Sequence, residues 1–232
     1  MSEMQLNKKA KADRLRAVVE PGKLISTRAY NTIMSLTIAY GLFINVLLCA
    51  FVGNVYNYVN PLLFLIAYFV LCIGGITIAN RSSSPAVSFL GYNMVVIPMG
   101  LVISSVVSVY VSISPAVVLL AFIDTLIVTG LMVVAAVALP SFFAKMGRIL
   151  GIAIFGLIIC YFVNALFFRT ESMLLAWVAA AIFSLYIGYD FWRSQQYPKT
   201  VDNAIDCALD IYVDIANLFL RILEIVGSRS RK

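Results

Sequence analysis

The sequence predicts an all-α integral membrane protein, a seven-helix bundle with its acidic C-terminal helix at the centre. Three observations carry this. First, 62% of the 232 residues are hydrophobic and only 12% are charged, too few charges to build the polar shell of a soluble domain. Second, the apolar residues come in long runs, and about 20 of them cross a hydrocarbon core of about 30 Å as a helix. The runs do not alternate with the period of two that a barrel strand needs. Third, the last long segment carries acids at helical spacing and cannot face lipid, so other helices must enclose it.

Taken in order, residues 1–28 form a basic arm with Lys8, Lys9, Lys11, Arg14, Arg16, Lys23 and Arg28, broken by Pro21-Gly22. The expected transmembrane domain covers residues 29–227, with spans at 29–52, 62–79, 86–110, 116–139, 149–168, 172–192 and 203–226. Uncharged turns around Gly53-Asn54 and Ser112–Pro115 separate the first from the second span and the third from the fourth. Pro85 suits the first turn of the third span, and Pro98 within it predicts a kink. Residues 140–148 read as a basic connector, and 228–232 as a basic tail.

Composition also excludes. The chain has no histidine, which removes Ser-His-Asp hydrolases, histidine-based zinc proteases and any histidine switch. Cys49, Cys72, Cys160 and Cys207 sit in or beside apolar runs without metal-ligand spacing and read as small buried hydrophobes. The net charge of +6 lies mostly at the two ends and speaks for a lipid surface, not nucleic acid. No enzymatic activity and no cofactor are expected.

The basic stretches are the arm, the loop at Arg81, the stretch with Lys145 and Arg148, and the loop with Arg193 and Lys199. The positive-inside rule therefore places the N-terminus in the cytoplasm. The basic tail from Ser228 to Lys232 prefers the same side, so the last segment either crosses against the rule or enters and returns. Six earlier crossings can set the orientation alone, which favours a seventh crossing.

The acids carry the functional reading. Asp206, Asp210 and Asp214 climb one helical face with about 40° of drift per step, and Asn217 continues it. Asp206 suits a helix start, but Asp214 lies too deep for that role. Asp190 ends the sixth apolar run, beside Tyr189 and Trp192. Counting out from a hairpin midpoint at Asp202 puts Asp190 and Asp214 at equal depth. Two carboxyls side by side in low dielectric cannot both ionise cheaply, so they share a proton and titrate as a pair. That is a latch closed by the shared proton and opened by repulsion when the proton leaves. The charged pair would also offer hard oxygen ligands to Ca²⁺. Asp124 in the fourth span is a further intramembrane acid, expected to face the interior. Asp206, Asp210, Asp124 and Asn217 are candidates for an ion pathway, and Arg81, near the end of the second span, is the candidate basic partner for an acid within the membrane.

The stretch Asp206-Cys207-Ala208-Leu209-Asp210-Ile211-Tyr212-Val213-Asp214-Ile215-Ala216-Asn217-Leu218-Phe219-Leu220 resembles the closing signature of the Bax inhibitor-1 (transmembrane Bax inhibitor motif) family. Tyr186-Ile187-Gly188-Tyr189-Asp190 and the Phe143-Ala144-Lys145-Met146-Gly147 core of the 140–150 stretch resemble it as well. The resemblance implies seven helices with the last one central. It also implies a pH-sensitive calcium leak with a paired-aspartate sensor, falling on Asp190 and Asp214, and a latching arginine, for which Arg81 is the candidate. The compact chain looks like a bacterial inner-membrane member.

Two other functions compete. One is a regulatory protein without transport that binds a membrane protease or another membrane complex through its basic arm. The other is an intramembrane aspartyl protease, for which the Gly-x-Gly-Asp pattern is missing: Asp190 follows Ile187-Gly188-Tyr189 and Asp214 follows Ile211-Tyr212-Val213.

Overall fold

A computed structural model describes residue 19, residues 21–168 and residues 172–230. Most of the basic arm, the Arg169-Thr170-Glu171 stretch, and Arg231 and Lys232 of the tail therefore lie outside the described residues. The described chain is all-α, with no strand. Its seven α-helices are α1 (Thr27–Phe51), α2 (Pro61–Arg81), α3 (Pro85–Ile113), α4 (Pro115–Ala138), α5 (Pro140–Val163), α6 (Met173–Ser194) and α7 (Val201–Ser230). A π-helical turn, Asn164–Phe168, extends α5.

Helix starts follow from local chemistry. Ser26 caps α1 by accepting the Ala29 amide, and Asn60 caps α2 by accepting those of Leu62 and Leu63. The helices α2, α3, α4 and α5 all begin on proline, where the missing N–H costs nothing and φ is already helical. This places the start of α5 at Pro140 rather than Ile149: the stretch read as a connector is helical. Helix α3 continues through Pro98. In the turn after α1, Gly53 has φ of 64°, a conformation glycine adopts without a Cβ clash. Ser104 closes that turn by donating to the Leu48 and Gly53 carbonyls at 2.9 and 2.6 Å.

The first six helices are each long and apolar enough to cross a membrane. The seventh differs. It is one unbroken helix of 30 residues, about 45 Å long at the usual rise, which does not fit a segment that enters and returns. Side chains along its whole course are buried, including Ala204, Ala208, Tyr212, Leu218 and Leu223. A helix with this many acids needs that enclosure, because lipid cannot solvate them.

The chain forms two compact units: Met1–Ser108 with Ser194–Tyr212, and Val109–Arg193 with Val213–Lys232. In the first, α2 and α3 touch backbone to backbone at Gly75 and Gly91, where a Cβ on either residue would lie 2.6 or 2.5 Å from the other's carbonyl oxygen. Small residues at such crossings let helices pack closely where no hydrophobic force drives them together. Buried tyrosines supply the hydrogen bonds: Tyr92 donates to the Thr37 carbonyl at 2.8 Å and Tyr212 to Asn45 Oδ1 at 3.0 Å. Tyr30 donates to the Ser194 carbonyl at 3.0 Å and lies 4.4 Å under the Lys199 ammonium. In the second unit, Leu157, Ala179 and Ile182 form a cluster against which Tyr161, Phe183 and Tyr186 pack.

Candidate functional site

The candidate site lies in the second unit and is built from α6 and the later part of α7. Asp190, one turn from the end of α6, is buried, and so is Asp214 on α7. One side chain on α6 feels the charge of both, Tyr186. It stands one helical turn before Asp190, packs against the Leu157 cluster, and lies within electrostatic reach of both carboxyls. A residue four positions earlier on a helix shares its face, so the packing that holds the ring also aims it along the Asp190 side.

The cation on Asp190 is Arg193. Its Nη2 lies 3.0 Å from Asp190 Oδ1, with the carboxylate side chain 8% exposed and the arginine 20%. The guanidinium also stacks over the Tyr189 ring at 5.4 Å, and a ring face favours a cation. Arg193 was a topology-setting loop residue in the sequence reading. The structure ends α6 one residue later, at Ser194, so the arginine is helical and three residues from its acid. The chemical content is a charge count. Two carboxyls and one guanidinium are neutral together when one proton is present, and carry one buried negative charge when it is absent.

The other predicted residues fall as follows. Arg81 is the last residue of α2 and is exposed. Asp206 is buried and Asp210 partly so, both in the first unit. Asn217 donates its amide to the Val213 carbonyl of its own helix at 2.8 Å. Asp124 overturns its expectation: it is exposed, not turned inward. Thr125 takes the buried position on α4 and bonds the Ala121 carbonyl, which turns its predecessor outward by about 100°. Among the described residues no three acids or cysteines come together as a metal-holding group. The Asp190–Asp214 pair is thus far short of the about six to eight oxygens that a Ca²⁺ cage supplies.

The hairpin count also needs correction. Its midpoint was set at Asp202, but α7 begins at Val201 and Asp202 already lies in the first turn. Asp202 is buried and accepts a 2.7 Å hydrogen bond from the buried Ser88 hydroxyl. The signal for it was present, since it stands four residues before Asp206 and extends the acid ladder by one rung. Ser88→Ala should cost about 2 kcal/mol, the scale of a hydrogen bond to a charged group, read as a lower unfolding temperature in detergent. An unchanged midpoint would mean that Ser88 does not support the buried Asp202. Nearby, burial pushes the Lys199 ammonium below its usual pKa, and it donates to the carbonyls of Ser194, the last residue of α6, and Gln195 at 3.2 and 2.9 Å.

The family of inhibitors of apoptosis-promoting Bax1 matches residues 24–231 of the chain, the whole of the helical region. The chain belongs to that family. Uncharacterized proteins from two strains of Helicobacter pylori are 39% identical to it over 106 residues, 44% of this chain and 44% of each relative. An uncharacterized Lactococcus lactis protein, YrjE, is 33% identical over 91 residues, 36% of this chain and 39% of that one. The matched stretch thus spans less than half the length of each of these relatives. As a Bax inhibitor-1 family member with six apolar helices and a buried seventh, the chain is a multi-pass membrane protein.

Proposed function

We propose that this protein is a pH-sensitive calcium leak of the bacterial inner membrane, gated by the proton shared between Asp190 and Asp214. The observation that carries the reading is two buried carboxyls, Asp190 and Asp214, both within electrostatic reach of Tyr186, with the Arg193 guanidinium on Asp190. With one proton the cluster is neutral and closed. Loss of the proton leaves a buried negative charge, which both repels within the pair and attracts a divalent cation. Two carboxylates with water hold Ca²⁺ weakly, as a conducting site requires: binding must be loose enough for the ion to leave. Asp206, Asp210 and Asn217 are the candidate residues of the ion pathway, and Arg81 is the candidate basic latch. The N-terminus lies in the cytoplasm on this reading, as the basic loops favour. No cofactor and no catalytic step are involved; Ca²⁺ and H⁺ are the species handled.

The test is Ca²⁺ flux into liposomes holding the purified protein, at pH 6 and pH 8. Flux should rise from the lower to the higher pH, and Asp214→Asn or Asp190→Asn should flatten that dependence. A pH profile unchanged by both substitutions would remove the pair as sensor. No flux above empty liposomes at either pH would turn the reading to a non-transporting regulator that binds a membrane protease or another membrane complex.

A further inference from the structure

Two glycines let the first turns of α5 press against the last turns of α6, beside the gate. A Cβ on Gly188 would lie 2.6 Å from Phe143 Cζ. A Cβ on Gly147 would lie 2.8 Å from Tyr189 Cζ, and nearer still to the Tyr189 hydroxyl. Phe143 is buried and stands one turn before Gly147, on the same face of α5. Small residues allow this close approach. One turn further along α5, nothing lies within 4 Å of a Cβ at Gly151. The close approach is therefore local to the end of α6 that carries Asp190.

The ring seated over Gly147 is also the ring that carries the cation. The Arg193 guanidinium lies over Tyr189 at 5.4 Å and 3.0 Å from Asp190. The contacts thus form one chain, from Gly147 to Tyr189, to Arg193, to Asp190. Trp192 is a bystander with a use: its ring lies 5.9 Å from that of Tyr189 and is tilted by 34° to it. A long arginine side chain has many rotamers to lose, and this one is part-exposed, within reach of water. A ring face that attracts the cation selects the rotamer that reaches the acid.

We propose that Gly147 and Tyr189 are positioning residues of the gate: Gly147 leaves the room in which the Tyr189 ring sits, and the ring holds the Arg193 guanidinium on Asp190. The role in gating rests on the reading of Asp190 given above. Each of the two residues acts through Arg193. A displaced ring frees the guanidinium to turn toward water and leaves the Asp190 charge less well balanced. The remaining charged and titratable groups here are Tyr186 on α6 and Asp214 on α7. Lys145 and Arg148, flanking Gly147 on α5, are exposed. The start of α5 is then more than a passage between spans, since it sets the position of a cation on the neighbouring helix.

The test uses the full-length protein in detergent and reads the coupling to Arg193. Tyr189→Leu should lower the unfolding temperature, and its loss should be about 2–4 °C smaller when Arg193 is already alanine, the scale of one cation–ring contact. Tyr189→Phe keeps the ring face, so Arg193→Ala should cost as much in that chain as in wild type. With Trp177→Phe, Trp192 is the sole tryptophan; its emission should shift on Gly147→Ala and stay unchanged on Gly151→Ala. In liposomes, Gly147→Ala and Tyr189→Leu should move the pH profile of Ca²⁺ flux in the direction that Arg193→Ala moves it. Equal losses for Tyr189→Leu with and without Arg193 would overturn the proposal, and so would Trp192 emission that responds alike to both alanines. If Gly147→Ala does not assemble, the Tyr189–Arg193 cycle decides alone. Absence of flux at every pH would overturn the leak, while the cycle and the emission would still decide whether Tyr189 holds Arg193.

Discussion

Arg193→Ala should destabilise the protein by about 3 kcal/mol at pH 8, the lower end of the range for removing one partner of a buried ion pair. The lower end applies because the arginine is 20% exposed while its carboxylate is 8% exposed. What the variant leaves behind is a buried Asp190 without its cation, and the cost is that of the stranded charge rather than of a lost contact. The loss therefore depends on pH. A protonated carboxyl needs no cation, so the deficit should be smaller at pH 5 than at pH 8. Unfolding temperatures of the detergent-solubilised protein at the two pH values measure this. Arg193→Lys keeps the charge but not the planar fork or the stack on Tyr189, and should lose about 1 kcal/mol. Asp190→Asn placed on Arg193→Ala should recover most of the stability, since the two sites act as one unit. Equal losses at pH 5 and pH 8 would mean that Arg193 supports the fold by packing alone and has no part in the charge balance of the gate.

The same arginine shows where sequence reading stops. Six apolar runs and one acid-bearing segment were legible because lipid and protein interior impose opposite demands on charge: the six are apolar helices, and α7 is buried along its length. Asp190 and Asp214 stood out as acids where acids are costly. Arg193 did not, because a basic residue past an apolar run reads as a surface anchor until the end of the helix is known. Tyr186 was hidden for a different reason. It is one of 12 tyrosines, and only the packing around Leu157 gives it a direction. Asp124 went wrong through helix rotation. The helix α4 is apolar on every side, so no polar face marks which way it turns. Lipid-facing and core-facing residues then have the same composition, and the phase comes only from packing, which buries Ala121 and Thr125 and leaves Asp124 out. Pro140 is the milder case. Proline and basic residues suggested a connector, yet proline at the first helical position starts a helix as readily as it ends one.

Gly91→Leu should do the most damage to the fold itself. A Cβ at Gly91 would stand 2.5 Å from the Gly75 carbonyl oxygen and 3.0 Å from both the backbone nitrogen and the Cβ of Ala79. None of these is the free end of a side chain, so no rotamer change relieves the contact; α2 and α3 must move apart. Separation gives up the close packing that holds membrane helices together, because lipid offers leucine the same apolar surroundings that a neighbouring helix does. The expected loss is about 3 kcal/mol or more, the upper part of the overpacking range, with misassembly as the visible outcome at low margin. Gly91→Ala carries the same Cβ and should already cost about 1–2 kcal/mol, which separates the backbone clash from the bulk of the leucine. Gly130→Ala on α4 is the matched control: nothing lies within 4 Å of a Cβ there, so the change should fall within about 0.5 kcal/mol of wild type. Unfolding in mixed micelles, followed by loss of helical signal, ranks the three variants. If Gly91→Leu unfolds with wild type, the two glycines do not touch, and Gly75 and Gly91 have no part in bringing α2 against α3.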